Sequence, residues 1–427
     1  MKNKIEIMAP VGSYEALAAA IKAGADSVYF GAGILNMRAR SAVNFTLDDI
    51  ADIAATCKKN NVKSYLVLNT LVYDNELDEI KQICDAAKSA NVSAVIASDI
   101  SVIQYAASIN LPVHISVQAN VSNIEAVKFF SKFAEVIVLA RELTLQQIRN
   151  IISTIENENI TGPTGELIKI EIFAHGALCV AISGKCYMSL ALYNKSANRG
   201  ACYQTCRRSY DVKDDQTGDE LRIENKFIMS PKDLCTITFL DSILDAGISI
   251  LKIEGRGRAA DYVFTTVSAY KEAVKLWEEG KFTTELAGKL VENLEKVFNR
   301  GFWHGGYYLG EPLGEWCGIS GNKAKFEKKY IGYVTNYFVK IGIAEITMIA
   351  DELKTSDKIV FIGPTTGALE VDVNELRVDY KKVDCAGKGD VVSVKVPERV
   401  RRQDKVYLMK LRKFGYHAKH EMHEKNI

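Results

Sequence analysis

Apolar residues follow two different periods along this chain, and the first half alternates between them. Short, β-rich apolar runs occur at Ile5–Ala9, Ser27–Phe30, Ser64–Leu68, Ala94–Ala97, Val113–Val117, Val136–Leu139, Ile168–Phe173 and Ile248–Ile253. Between most of them apolar residues recur every three or four positions, as in Glu15–Ala23, Leu47–Lys59, Glu76–Ala90, Ile124–Phe130 and Leu145–Ile155. That spacing belongs to helices burying one face. Eight strands alternating with helices predict an α/β chain built on a (β/α)8 TIM-like barrel. A dinucleotide-binding doubly wound sheet is disfavoured, since no Gly-x-Gly-x-x-Gly follows the first strand.

The pattern changes after the seventh strand. Residues 176–235 form a cysteine-rich insertion, a length of irregular chain that in a compact fold usually carries function. The acidic pair Asp214-Asp215 lies within it. A helix is expected near Ser230–Ala246, then the last strand, then helices at Tyr262–Gly280 and Thr284–Asn299. The barrel with its insertion is assigned to 1–300. A glycine- and aromatic-rich connector follows at 301–329, holding Phe302-Trp303-His304 and Trp316-Cys317-Gly318. From 330 to 427 the pattern is all-β, with runs at Ile331–Val334, Val339–Met348, Lys358–Phe361, Ala368–Val373, Val391–Val396 and Lys405–Leu408. These predict a small C-terminal β-barrel. Its His-rich tail (His417, His420, His423) lacks the His-Glu-x-x-His spacing of a zinc protease and reads as solvated chain.

The strand ends identify a candidate site. Reading the C-terminal edges gives Pro10-Val11-Gly12-Ser13, Gly31, Asn69-Thr70, Ser98-Asp99, Gln118–Asn120, Arg141-Glu142, His175-Gly176 and Glu254-Gly255-Arg256. In a (β/α)8 barrel these edges converge on one mouth, where active sites are built. Such a ring of polar groups suits a polar, anionic small molecule, although solvated βα turns are polar in any case.

Composition narrows the class. The chain has 427 residues, 48% hydrophobic and 25% charged, with a net charge of +1. Those proportions fit a folded, water-soluble protein and give no global attraction to polyanions. No apolar run of signal-peptide or membrane-span length is present, so no membrane association is expected and a cytoplasmic setting is. Thiols stay reduced there, which matters because five of the nine cysteines lie between Cys179 and Cys235. A C-x6-C pair (Cys179, Cys186), a C-x3-C pair (Cys202, Cys206) and Cys235 offer five thiolates, where a [4Fe–4S] cluster needs four. Lys185, Arg199, Arg207 and Arg208 are placed to offset cluster charge. A structural zinc site is the competing metal reading but lacks C-x2-C knuckles. Cys57, Cys84, Cys317 and Cys385 read as isolated packed thiols.

The window Glu171-x-Phe173-x-x-Gly176-Ala177-Leu178-Cys179-x4-Gly184-x-Cys186-x-Met188-Ser189 resembles the signature of the collagenase-like peptidase family. The resemblance extends to Ala9–Ser13, Gly24–Gly31, Asn44–Thr46, Asn198–Cys202 and Lys252–Arg256, and so covers the barrel. It implies a [4Fe–4S] cluster on Cys179, Cys186, Cys202 and Cys235, with Cys206 as the alternative ligand. It also implies the prephenate-dependent hydroxylase branch: oxygen-independent 5-hydroxylation of the wobble uridine of tRNA, with prephenate as co-substrate and hydroxyl source. A paralogous protein subunit is a further implied partner. The alternatives are hydroxylation of ribosomal RNA or another substrate, a collagenase-like protease, and a non-catalytic cluster-bearing assembly component. No Gly-x-Ser-x-Gly or His-Glu-x-x-His supports proteolysis.

A dicarboxylate such as prephenate calls for arginines at the mouth, since guanidinium pairs bidentately with carboxylate. Arg38 (with Arg40 in the same loop), Arg141 and Arg256 are the candidates, together with Asn69 and Gln118 for substrate binding. His114, His175 and Glu254 are the candidate catalytic residues, for proton transfer or substrate orientation. His114 and Gln118 are expected on one strand, with His114 deeper. Basic stretches at Arg199–Arg208 and at Arg399, Arg401, Arg402, Lys405, Lys410, Arg412 and Lys413, the latter with Tyr407 and Phe414, are candidate tRNA contacts.

Overall fold

The computed structural model describes residues 4–39, 44–210, 215–217, 229–310, 316–318 and 321–412. Arg40, Asp214, Lys413, Phe414 and the three tail histidines lie outside them. Strands β1 (Glu6–Val11), β2 (Ser27–Phe30), β3 (Lys63–Leu68), β4 (Ala94–Ala97), β5 (Val113–Ile115), β6 (Val136–Val138) and β7 (Lys169–Gly176) pair in sequence order, all parallel. After the short β8 (Asp233–Cys235), β9 (Ile250–Ile253) pairs in parallel with both β7 and β1 and closes the ring. The eight-stranded parallel barrel is therefore the one the sequence pattern predicts.

Helices α1 (Tyr14–Lys22), α2 (Asp49–Lys59), α3 (Leu77–Ser89), α4 (Ile100–Ser108), α5 (Ile124–Phe130) and α6 (Leu145–Asn157) connect successive strands. Side-chain oxygens start several of them. Ser13 accepts from the Ala16 N–H at 3.2 Å, and Thr144 and Gln147 form a reciprocal capping box at α6. After α7 (Met188–Tyr193) and α8 (Leu240–Leu244), α9 (Ala260–Glu278) and α10 (Thr284–Leu294) finish the outer layer. The helices bury one stripe each against the outward faces of the strands, as with Leu17, Ile53, Ile83 and Ile148. Each such side chain contributes about 1.5–3 kcal/mol. No described helix is long and apolar enough to cross a membrane.

Two expectations change. The helix expected across Ser230–Ala246 is instead β8, a single tight turn at Ile237–Phe239 and the short α8. Pro231 removes a backbone donor, and Asp233–Cys235 finds a partner in the end of β7, antiparallel, with His175 opposite Cys235. The connector is part of the barrel edge: β10 (Phe302–Trp303) pairs with β8, and the Cys317 N–H donates to the Ser230 carbonyl at 2.7 Å.

The C-terminal unit begins a few residues before 330, after the single-turn α11 (Gly306–Leu309). Its strands are β11 (Phe326–Phe338), β12 (Ile343–Met348), β13 (Leu353–Lys354), β14 (Lys358–Gly363), β15 (Gly367–Asp372), β16 (Leu376–Val378), β17 (Lys381–Val383), β18 (Cys385–Ala386), β19 (Val391–Lys395) and β20 (Lys405–Leu411). Eight of them form an antiparallel sheet in the order β15-β14-β20-β11-β12-β19-β16-β17, and β13 pairs with β18. The sheet wraps a core of its own, with Ile331, Ile346, Phe361 and Leu408 inside it. It packs on the barrel through β15. A side chain at Gly367 would meet the Ala19 backbone nitrogen at 2.7 Å, so only glycine permits this approach of strand to α1.

Candidate active site at the barrel mouth

The C-terminal edges of the strands and the insertion enclose a cavity of about 250 Å³ at the barrel mouth. Arg38, Asn69, Gln118, Arg141, Glu254 and Arg256 all line it, as do Lys252, Arg258 and Arg300. Arg38 donates to Glu254 Oε1 through Nη2 at 2.8 Å and through Nε at 3.3 Å. Burial disfavours the Glu254 charge, but Arg38, Arg258 and Arg141 outweigh it and hold the carboxyl down at about 2. Glu254 is therefore ionised at neutral pH. Arg256 is buried and donates to Asn36 Oδ1 at 2.9 Å, and burial lowers its guanidinium to about 10, still charged at neutral pH. Gly31 permits this packing, since a side chain there would lie 2.4 Å from Arg256 Nη1. Asn69 bridges two elements, accepting from the Met37 N–H and donating to Ser116 Oγ, each at 3.2 Å.

Three residues that line the cavity, Arg141, Gln118 and Asn198, have a buried polar atom with no hydrogen-bond partner among the described residues. The Arg141 guanidinium stacks 3.9 Å from the centre of the Phe173 ring, and its buried Nε has no partner. Its Nη1 donates to the Ala177 carbonyl at 3.4 Å. Buried Gln118 Oε1 is also without a partner. An orphaned buried donor and acceptor cost stability unless a ligand satisfies them. Gln118 sits on a single tight turn after β5 and not on the strand itself.

Cys179, Cys186, Cys202 and Cys206 line the same cavity, whereas Cys235 does not. Backbone N–H groups of Met188 and Ser189 point at Cys186, Arg207 stands beside Cys206 and Cys179, and Arg38 stands near Cys202. Cys179 is exposed and the other three are half-buried, and thiols so placed, with nearby N–H donors and cations, have the donor chemistry of a thiolate-bound iron–sulfur cluster. Among the described residues no three His, Cys, Asp or Glu side chains converge closely enough to hold a metal ion. Cys235 is buried opposite His175, and burial pushes its thiol up to about 12 despite hydrogen bonds from the Ile237 backbone and the Tyr270 side chain. Cys206 thus shares the cavity with Cys179, Cys186 and Cys202, and Cys235 lies outside its lining.

His175 is not in the cavity either. Along β7, Glu171 and Phe173 face the barrel interior, so strict alternation would turn residue 175 inward as well. The pairing with β9 slips between Phe173 (opposite Lys252) and His175 (opposite Ile253), and this bulge turns His175 outward. It lies 2% exposed beneath α9, among Tyr262, Tyr270 and Phe302, and burial lowers its imidazole to about 3. His114 faces the interior as expected, but at the opposite end of the barrel. It lines a second cavity of about 300 Å³ with Glu6, Lys63, Tyr65 and Lys169, and burial holds it well below its usual range.

The buried pair Lys252–Glu171 was missed by sequence reasoning. Lys252 Nζ donates to Glu171 Oε1 at 2.6 Å inside the barrel, with Lys252 at the floor of the mouth cavity. Burial pushes Glu171 up and Lys252 down, while their mutual attraction opposes both shifts. Glu171 Oε2 and His114 Nδ1, 3.9 Å apart, have no hydrogen-bond partner among the described residues. The available signal was a lysine in the middle of the apolar strand Ile250–Ile253.

Known proteins give this geometry a context. The profile described as Peptidase family U32 matches residues 12–317. A collagenase from Porphyromonas gingivalis is 53% identical over 405 residues, 95% of this chain and 98% of that one. A tRNA hydroxylation protein from Bacillus subtilis is 30% identical over 85% of this chain and 84% of its own length. A 23S rRNA 5-hydroxycytidine synthase from Escherichia coli is 34% identical over 70% of this chain and 44% of its own. The chain, with its thiol-lined cavity at the mouth of a parallel barrel, belongs to peptidase family U32.

Proposed function

We propose that this chain is an RNA-modifying enzyme. It 5-hydroxylates the wobble uridine of tRNA without oxygen, takes the hydroxyl group from prephenate, and carries a [4Fe–4S] cluster on Cys179, Cys186, Cys202 and Cys206. The observation that carries this reading is the cavity itself, which is lined by four thiols together with Arg141 and Gln118, each with an unsatisfied polar atom. The relatives named for tRNA and rRNA hydroxylation support the RNA substrate. When bound, such a cluster supplies an iron centre for electron transfer or Lewis-acid chemistry.

The chain's own residues bind and orient. Arg141, held flat by Phe173, presents Nε and Nη2 to one carboxylate of the dicarboxylate, and Lys252 Nζ carries positive charge at the cavity floor to receive the other. Gln118 Oε1 accepts from a substrate hydroxyl or N–H. Glu254, held ionised by Arg38, acts as a hydrogen-bond acceptor or base and not as an acid. His175 and His114 take structural roles.

The test is nucleoside mass spectrometry of tRNA from a strain lacking this gene and any paralogue, complemented with wild type or Arg141→Met. Wild type should restore 5-hydroxyuridine derivatives and Arg141→Met should not; unmodified tRNA after wild-type complementation sinks the reading. The same digest of ribosomal RNA checks for 5-hydroxycytidine. Proteolysis is favoured by one observation, the name of the 53% identical relative. Among the described residues no histidine lines the cavity to activate a nucleophile, and purified protein should leave denatured collagen intact.

A further inference from the structure

Between Gly176 and Tyr210 the chain carries five cations and four tyrosines but no Asp or Glu; acidic residues resume only at Asp211. In a chain of net charge +1 this is a local concentration, wrapped round the cavity entrance. Two of the cations are committed to the fold. Arg199 pairs with Glu76, and Arg207 donates to Ser230 Oγ at 3.0 Å and to the Pro231 carbonyl at 2.6 Å. The other three, Lys185, Lys195 and Arg208, are exposed and have no ion-pair partner among the described residues.

Aromatic rings stand among them. Tyr187, beside the cavity-lining Cys186, is 69% exposed, so its ring is open to a stacking partner. Tyr193 is 37% exposed at the end of α7. One of its faces stacks on Tyr203, with ring centres 4.8 Å apart at 28°, and Arg208 bonds its hydroxyl with the guanidinium 5.4 Å from the ring centre. Tyr203 follows Cys202, so this stack also borders the cavity.

We infer that this outer face of the cysteine loop is a docking surface for a single-stranded RNA segment. Bases stack on Tyr187 and Tyr193, and Lys185, Lys195 and Arg208 meet phosphates. Cations without ion-pair partners interleaved with solvent-exposed rings are the combination that a flexible, stackable polyanion fits. An acidic protein would use the cations but leave the rings without a purpose. The inference rests on the RNA reading above and adds where the RNA lies: on the cysteine loop, and not on the basic stretch of the C-terminal sheet. There Lys410 already pairs with Asp351 at 3.1 Å.

The experiment measures binding, not turnover. Anaerobically purified full-length protein is titrated into a fluorescent anticodon stem–loop RNA at several salt concentrations, with iron content recorded as a check on the loop. Tyr187→Ala and Tyr193→Ala should each weaken binding about 5- to 150-fold, and Tyr193→Phe should restore it. Lys195→Ser should lower the salt-dependence slope by about 0.7. Arg402→Ser with Lys405→Ser should change Kd less than twofold. Tight binding that depends on Arg402 and Lys405 but not on the tyrosines overturns the docking surface and leaves the RNA reading standing. No RNA binding by wild type overturns both, as does loop-dependent capture of an acidic protein in its place.

Discussion

The two sides of β7 carry residues from one short stretch of sequence and do opposite things with them. On the inner side and beyond the strand end, Phe173 supports Arg141, Glu171 holds Lys252, and four thiols sit among cations. On the outer side, His175 and Cys235 face each other across β7 and β8, buried under α9 and neutral. Charge and unsatisfied hydrogen bonds gather on the first side; the second is packed and satisfied, with Tyr270 bonding the Ala174 carbonyl at 2.7 Å. One bulge separates them. Proximity in sequence to a reactive motif therefore says little about membership of the site, because a one-residue slip sends a side chain to the other face.

The contrast breaks most visibly in activity. Arg141→Met should lower kcat/KM for prephenate-dependent hydroxylation about 10- to 150-fold, the loss of a charge-assisted hydrogen-bond pair. His175→Asn should stay within about threefold at neutral pH if its fold is retained. Anaerobic assays of both variants decide it, and equal losses would erase the distinction between the two sides. In stability the inner side is the more fragile. Glu171→Ala leaves the Lys252 ammonium buried without its partner and should cost about 3–5 kcal/mol in urea unfolding. Glu171→Leu combined with Lys252→Met should recover most of that loss.

A smaller effect, in pH, sharpens the outer side. The folded His175 imidazole is lowered to about 3 from an ordinary 6.5, so the unfolded chain takes up its proton first. Stability tied to this residue is complete above pH 6.5 and is lost as pH falls towards 3. His175→Asn should flatten the stability profile across that window, measured as urea midpoint against pH. An unchanged slope would show that His175 does not titrate as a buried neutral group.

Much of this molecule was legible in its sequence. Ser27–Phe30 and Ala94–Ala97 match their strands residue for residue because apolar β-branched runs between polar turns have few other readings. Arg38, Asn69, Gln118, Arg141, Glu254 and Arg256 reach the mouth because strand ends in a parallel barrel must converge. What escaped depended on pairing partners far along the chain. The His175 bulge exists only against β9, and β8 forms only because β7 overhangs its barrel neighbours. The burial of Cys235 outside the cavity depends on both. Lys252 hid inside an apolar run because its partner, Glu171, lies 81 residues away.

The central claim is that four loop thiols, Cys206 included, hold the cluster at the mouth, and that Cys235 is packing. Iron and sulfide per chain, measured on anaerobically purified Cys206→Ser and Cys235→Ala side by side with wild type, test it directly. Cys206→Ser should lose most of its iron, while Cys235→Ala should keep the wild-type content with a modestly lower Tm. Loss of iron from Cys235→Ala with retention in Cys206→Ser would contradict it.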